Sequence, residues 1–256
     1  MKLKHFMDDA YQGKARCKRL DTRKGDMIFG LDDLCDRAGE RPLKADIEML
    51  VPRDDRLIFS LISTSPEKKH RMIWGYLTSI SAERSLTPLR LPSGDFAGLE
   101  LSMGTIIIEQ GGDHVGERIK GGRIFIKGVA GDYLGQEMAG GGIVAGGCGD
   151  YAFRNMRGGW GVVLGSAGRC TGVGNSGGGI AVRGDCGNRA GWLMRGGRMR
   201  IRGNAGDYLG LLMSGGEIAV AGRAGRRCGW RMKGGKVLAA GYGPQAGEGS
   251  TGGSIE

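Results

Sequence analysis

The chain has 256 residues, 53 of them glycine and only six proline, and a formal charge of +10. Glycine at roughly three times its usual share of about 7% has a structural use: the glycines do not fall at every third residue, which excludes collagen, and apolar residues recur regularly between them, which excludes simple disorder. No run approaches the roughly 18 apolar residues of a membrane span, and the opening Met1-Lys-Leu-Lys-His-Phe6 lacks the apolar core and cleavage site of a secretory signal, so the chain is read as cytoplasmic.

In residues 1–92 the spacing predicts a helix near Gly30–Arg37, a strand over the apolar run Leu57–Ile62, and a helix from Ser65-Pro66-Glu67 to about Ile80, proline being well placed in a first helical turn. This small α/β leader is expected to cap the open end of the larger region after it. That larger region is a repeat. Paired glycines fall at 121–122, 140–141, 158–159, 177–178, 196–197, 215–216 and 234–235, at steps of 18 or 19 residues. Short-period self-similarity of this kind is the signature of a solenoid.

Aligned on the pairs, the unit reads Gly-x-x-x-Gly-x-x-Met-x-Gly-Gly-x-Ile-x-Ile-x-Gly-x-Ala. Ile124 and Ile126 alternate with Arg123, Phe125 and Lys127, the period of a short strand with one face buried. The pattern returns at Ile180/Val182, Met199/Ile201 and Ile218/Val220, and Thr105–Glu109 has the same spacing behind Gly104, so the solenoid is expected to begin near Ser93. A strand this short cannot bury its apolar face alone; stacking equivalent strands about 4.8 Å apart solves the problem. The expected fold is therefore all-β, a parallel β-helix of about 19 residues per turn over residues 93–243, with the 1–92 leader before it and a flexible Gly/Ser-rich tail, 244–256, after it.

Chemistry is sparse. The six cysteines form no CxxC pair, and Cys148 and Cys186 occupy the slot held elsewhere by Ala130, Ala167, Ala205 and Ala224, as small inward residues would. Met138, Met156, Met194, Met213 and Met232 recur in a slot that Ile119 fills in the first unit; isoleucine ligates nothing, so this ladder reads as core rather than as a soft-metal site. His114 is read as a surface histidine in a permissive slot shared with Tyr133, Tyr151, Arg169, Asn188 and Tyr208, and Asp113, Asp132, Asp150 and Asp207 as acceptors for turn amides. No nucleophile with a base and no carboxylate pair is apparent, so no catalytic, cofactor-binding or metal-binding residues are assigned.

Two units break the pattern: Phe153 stands where glycine is expected and Asn175 where methionine is, marking either a docking bulge or neutral drift. Residues 112–243 hold nineteen Lys and Arg against eight acids, a balance suited to an acidic protein partner or, less favoured, to nucleic acid. Arg198, Arg200 and Arg202 alternate onto one outer side, where they repel one another unless acids lie opposite; with Phe153 and Asn175 they form the expected interface.

The unit Gly-Asp-Tyr-Leu-Gly-x-x-Met-x-Gly-Gly-x-Ile-x-Val, as at 131–143 and 206–220, resembles the glycine (GXGXG) repeat shared by two families: the C subunit of formylmethanofuran dehydrogenase, with its bacterial relative in the formyltransferase/hydrolase complex, and the C-terminal domain of the glutamate synthase large subunit. The likeness covers roughly Ser93 to Gly243 and implies a right-handed β-helix. A β-helix behind a short leader leans it toward the formylmethanofuran dehydrogenase family. That resemblance implies a chain with no cofactor of its own, bridging an amidohydrolase-like subunit and a tungsten- or molybdenum-pterin subunit with iron–sulfur clusters in the partners. The implied reaction of the assembly is CO₂ reduction with formyl transfer to methanofuran, or the reverse. The alternative it implies is a glutamate synthase-related subunit spacing amidotransferase and synthase centres.

Overall fold

The computed structural model describes residues 30–39, 42–51, 55–63 and 66–256; Cys17 and Ser65 lie outside the described residues. Ten strands follow one another up a single sheet: β1 (Leu89–Gly94), β2 (Thr105–Gly111), β3 (Arg123–Ala130), β4 (Gly142–Cys148), β5 (Trp160–Val163), β6 (Gly179–Val182), β7 (Arg198–Ile201), β8 (Ser214–Ala224), β9 (Gly234–Tyr242) and β10 (Ser254–Ile255). Every neighbouring pair is parallel, and the pairing follows the repeat, with register shifts only within β3–β4 and β8–β9. Ile106, Ile124, Ile143, Gly161, Ile180, Met199, Ile218, Val237 and Ile255 stand side by side along one inward row. The result is a parallel β-solenoid of about nine turns with ~19 residues per turn.

Alternation decides what faces inward. In β3, Ile124 and Ile126 are buried while Arg123, Phe125 and Lys127 are exposed. Met138, Met156, Met194, Met213, Met232 and Ile119 are all buried, filling the cylinder between the sheet and the turns. A second, sparser ladder of parallel bridges joins Cys148, Ala167, Cys186, Ala205 and Ala224, where only small side chains fit inward. Burial pushes the Cys148 thiol up to about 12 and the Cys186 thiol to about 11, so neither is a thiolate near neutral pH.

The solenoid is longer than the sequence suggests at both ends. Its first strand starts at Leu89 rather than Ser93. The segment 244–256, expected as a flexible tail, winds one more rung: Ile255 pairs with Val237, and the Gly247 and Arg231 amides donate to the Cys228 (2.8 Å) and Glu248 (3.0 Å) carbonyls.

Before the solenoid come α1 (Leu31–Ala38), α2 (Lys44–Leu50), α3 (Asp55–Ile62), a 3₁₀ turn (Lys68–His70) and α4 (Arg71–Arg84). The expected strand at Leu57–Ile62 is therefore a helix. Ile58, Leu61 and Ile62 share one helical face and are buried, whereas Phe59 and Ser60 point outward, so the apolar run has a helical period. The described leader is thus helical rather than α/β. α4 lies across the open edge of the first rung, where unpaired backbone groups would otherwise sit. Thr78 Oγ1 accepts from the Gly98 amide at 2.9 Å, Ser79 Oγ donates to the Leu99 carbonyl at 2.7 Å, and Glu83 accepts from the Ser102 amide at 2.7 Å. Among the described residues no helix is long and apolar enough to cross a membrane.

Candidate protein-interaction face

Three surfaces of the solenoid could meet other molecules: the outward face of the sheet, the column of turns opposite, and the cleft under the cap. On the sheet face, outward residues stack in columns fixed by the register. One column runs Ile107, Phe125, Val144, Val162, Ala181 and then Arg200; the next sets Arg123, Gly142, Trp160, Gly179 and Arg198 in line. An outward strand position usually carries a polar side chain, yet five consecutive members of the first column are apolar. Phe125 is 36% exposed, Trp160 41% and Leu164 45%. Glycine at 142 lets the indole lie flat: a methyl group there would strike the Trp160 ring. The patch is therefore broad, level and anchored on a tryptophan held in place before any partner arrives.

Arginine borders it. Arg198, Arg200 and Arg202 all point outward from β7 and its end, while Met199 and Ile201 are buried. Arg198 meets Glu217 of the next rung at 3.5 Å, so part of the expected repulsion is relieved by an acid of the same chain. Arg123, Arg183, Arg200 and Arg202 have no ion-pair partner among the described residues. Exposed tryptophan and arginine on one face are the residue types that dominate binding energy at protein interfaces.

Phe153 and Asn175 contribute nothing to this face, which corrects the reading of them as docking markers: both are fully buried. Phe153 adopts the same left-handed backbone, φ 56°, as the glycines it replaces, and sends its ring into the cylinder. It fills the space left by Gly161, which interrupts the inward row of isoleucines in that rung; a methyl group on Gly161 would collide with the ring. The two departures are one exchange of volume between neighbouring positions. Asn175 replaces a core methionine with a worse fit: its Oδ1 accepts from the Gly177 amide at 3.4 Å, and its buried Nδ2 has no partner.

The turn column explains His114 and the aspartates. Asp113, Asp132, Asp150 and Arg169 each donate an amide to the carboxylate of Asp95, Asp113, Asp132 and Asp150 one rung earlier, at 2.7–3.0 Å. Asn188 and Asp207 continue the pattern, accepting from Asp207 and Arg226. Arg169 and Asn188 therefore belong to the aspartate column. The His114 column holds Phe96, His114, Tyr133, Tyr151, Cys170, Arg189, Tyr208 and Arg227, all with φ between 54° and 61°. His114 is no free surface group: its ring stacks between Phe96 (4.6 Å) and Tyr133 (4.7 Å), and its Nδ1 lies 2.7 Å from Glu117.

Between the cap and the first rungs lies a cleft of about 890 Å³. Within it His70 Nε2 lies 3.1 Å from Asp32, and Arg71 lies 2.5 Å from Asp95. Among the described residues no group of three or more His, Cys, Asp or Glu is placed to hold a metal ion. No protein-family model and no curated protein matches the chain.

Proposed function

We propose that the chain is a non-catalytic scaffold subunit that docks an acidic partner protein against the sheet face of its solenoid. The observation that carries this reading is the apolar column from Ile107 to Ala181, with Trp160 in the column beside it and unpaired arginines at its border. Contiguous apolar surface of this kind on a rigid, edge-capped solenoid marks an association site, and the arginines favour a partner with carboxylates opposite. The resemblance of the repeat suggests the assembly: a formylmethanofuran dehydrogenase-type complex in which partners hold the tungsten- or molybdenum-pterin, the iron–sulfur clusters and the amidohydrolase-like centre. Methanofuran formylation or its reverse is then the work of those partners, and this chain spaces them.

Native purification from the source organism followed by mass spectrometry of the intact assembly tests the reading. A complex containing a pterin-enzyme subunit and an amidohydrolase-like subunit is the expected result. Glutaminase and flavin subunits in their place would move the chain to the glutamate synthase-type alternative, and a stable lone monomer would overturn both.

A further inference from the structure

Along the turn column, planar groups recur at rung spacing. Phe96, His114, Tyr133 and Tyr151 stack nearly parallel, with centroids 4.6, 4.7 and 5.1 Å apart. The next position is Cys170, and the stack stops there. Beyond it come Arg189, Tyr208 and Arg227. A groove of about 310 Å³ opens at this break, lined by Tyr151, Cys170, Arg169, Arg189 and their neighbours.

The solenoid itself contains the filled version of this site. Two rungs further on, Arg227 lies 5.8 Å from the Tyr208 ring of the preceding rung and 5.5 Å from Trp230, and its Nη1 donates to the Tyr208 hydroxyl at 3.0 Å. Arg189 occupies the equivalent place, 6.0 Å from Trp192, which matches Trp230 in the repeat. Where Arg227 finds the ring of Tyr208, however, Arg189 finds Cys170, a side chain without a ring. Tyr151 and Arg189 stand two rungs apart, about 9.5 Å, room for one ring in contact with both. Arg169 is held at the rim by Asp150, at 3.0 and 2.7 Å to one carboxylate oxygen. Arg189 has no carboxylate partner among the described residues.

We propose that the break at Cys170 is a binding slot for a small aromatic acid, whose single ring completes the stack between Tyr151 and Arg189 and whose anionic oxygen takes the place that the Tyr208 hydroxyl has against Arg227. The thiol is the floor of the slot, 4% exposed, and takes no part in chemistry. Ring stacking on Tyr151 and the guanidinium above supply the attraction; Arg189 supplies the positive charge for the anion, Arg169 and Arg226 being held by Asp150 and Asp207.

Titration of the full-length protein with 4-hydroxybenzoate, followed by calorimetry or by ligand-observed NMR, tests this. Saturable binding in the millimolar range or tighter is expected. Cyclohexanecarboxylate, an acid without the aromatic ring, should bind about tenfold more weakly. Cys170→Tyr, which places in the slot the side chain its neighbours already carry, should abolish binding, and Arg189→Ala should weaken it about tenfold. Absence of saturable binding to the wild-type protein overturns the proposal, as does undiminished binding in a folded Cys170→Tyr or Arg189→Ala variant.

Discussion

Each rung turns two kinds of corner, and they obey different rules. At the paired-glycine corner the residue type is the same in rung after rung: the second glycine has φ between 68° and 91° from Gly122 to Gly235, and each pair packs against the backbone of the rung before it. At the aspartate corner the residues change from Asp to Arg to Asn and from Phe to His, Tyr, Cys and Arg, while the backbone path is kept. Where backbone meets backbone there is no space for a side chain; where a side chain only has to accept an amide or stack on a ring, several residues can do it. Among the rungs, chemical variety is therefore concentrated at the second corner and on the outward face of the sheet.

The comparison is broken most severely at the first corner. Gly197 has φ 80°, and a methyl group there would lie 2.7 Å from the Gly178 carbonyl oxygen. Gly197→Val should cost more than about 4 kcal/mol or abolish folding, as a β-branched residue is ill suited to this backbone, whereas Arg198→Val beside it should stay within about 1 kcal/mol. Denaturant unfolding of the two variants measures the contrast. Next in size is the core exchange. Phe153→Ala should destabilise by about 3–5 kcal/mol, and Phe153→Gly combined with Gly161→Ile, which restores the regular rung, should recover most of that loss in a double-mutant cycle. Asn175→Met then sharpens the picture by removing an unpartnered buried amide, with an expected gain of about 1–3 kcal/mol read as a rise in Tm.

Smallest is the effect of acid on the second corner. The guanidinium of Arg169 holds the Asp150 carboxyl below the usual carboxylate range, and the Arg226 amide and guanidinium do the same for Asp207. A carboxylate whose folded pKa is depressed stabilises the fold above its unfolded pKa of about 3.9, and that contribution is lost as pH falls through the folded value. Thermal melts should therefore show the Asp150→Asn and Asp207→Asn variants below wild type at pH 6, with the gap closing as the pH drops under 4. A gap independent of pH would remove the ion pairs from the account.

Much of this is legible in the chain itself because a strand's inward positions and a solenoid's period are local properties. Ile124, Met199 and the methionine ladder sit where alternation and glycine spacing place them, and the small inward slot of Cys148 and Ala167 is equally direct. Phe153 and Gly161 are separately visible as oddities, but only the rung geometry shows that one fills the space of the other. Counted back from the glycine pairs, the His114 column runs through Cys170 and Arg189, seven residues before Gly177 and Gly196, so placing Arg169 and Asn188 in it is a slip of one residue. Leu57–Ile62 is short enough for an apolar run to suit strand or helix alike. At the other end, Gly252-Gly253 and Ile255 repeat the unit one step beyond Gly234-Gly235, a signal hidden by the flexible-looking glycine and serine around it. The docking patch leaves a trace too: Phe125, Val144 and Val162 are apolar at the outward parity, which alternation assigns to solvent.

On the function proposed, the sheet face holds the chain in an assembly. Affinity purification of a Trp160→Ala, Arg200→Glu double variant from the native host, beside wild type, tests it most directly. An unchanged Tm and loss of the co-purifying subunits are expected. A variant that brings down the same complex in the same amount would contradict it.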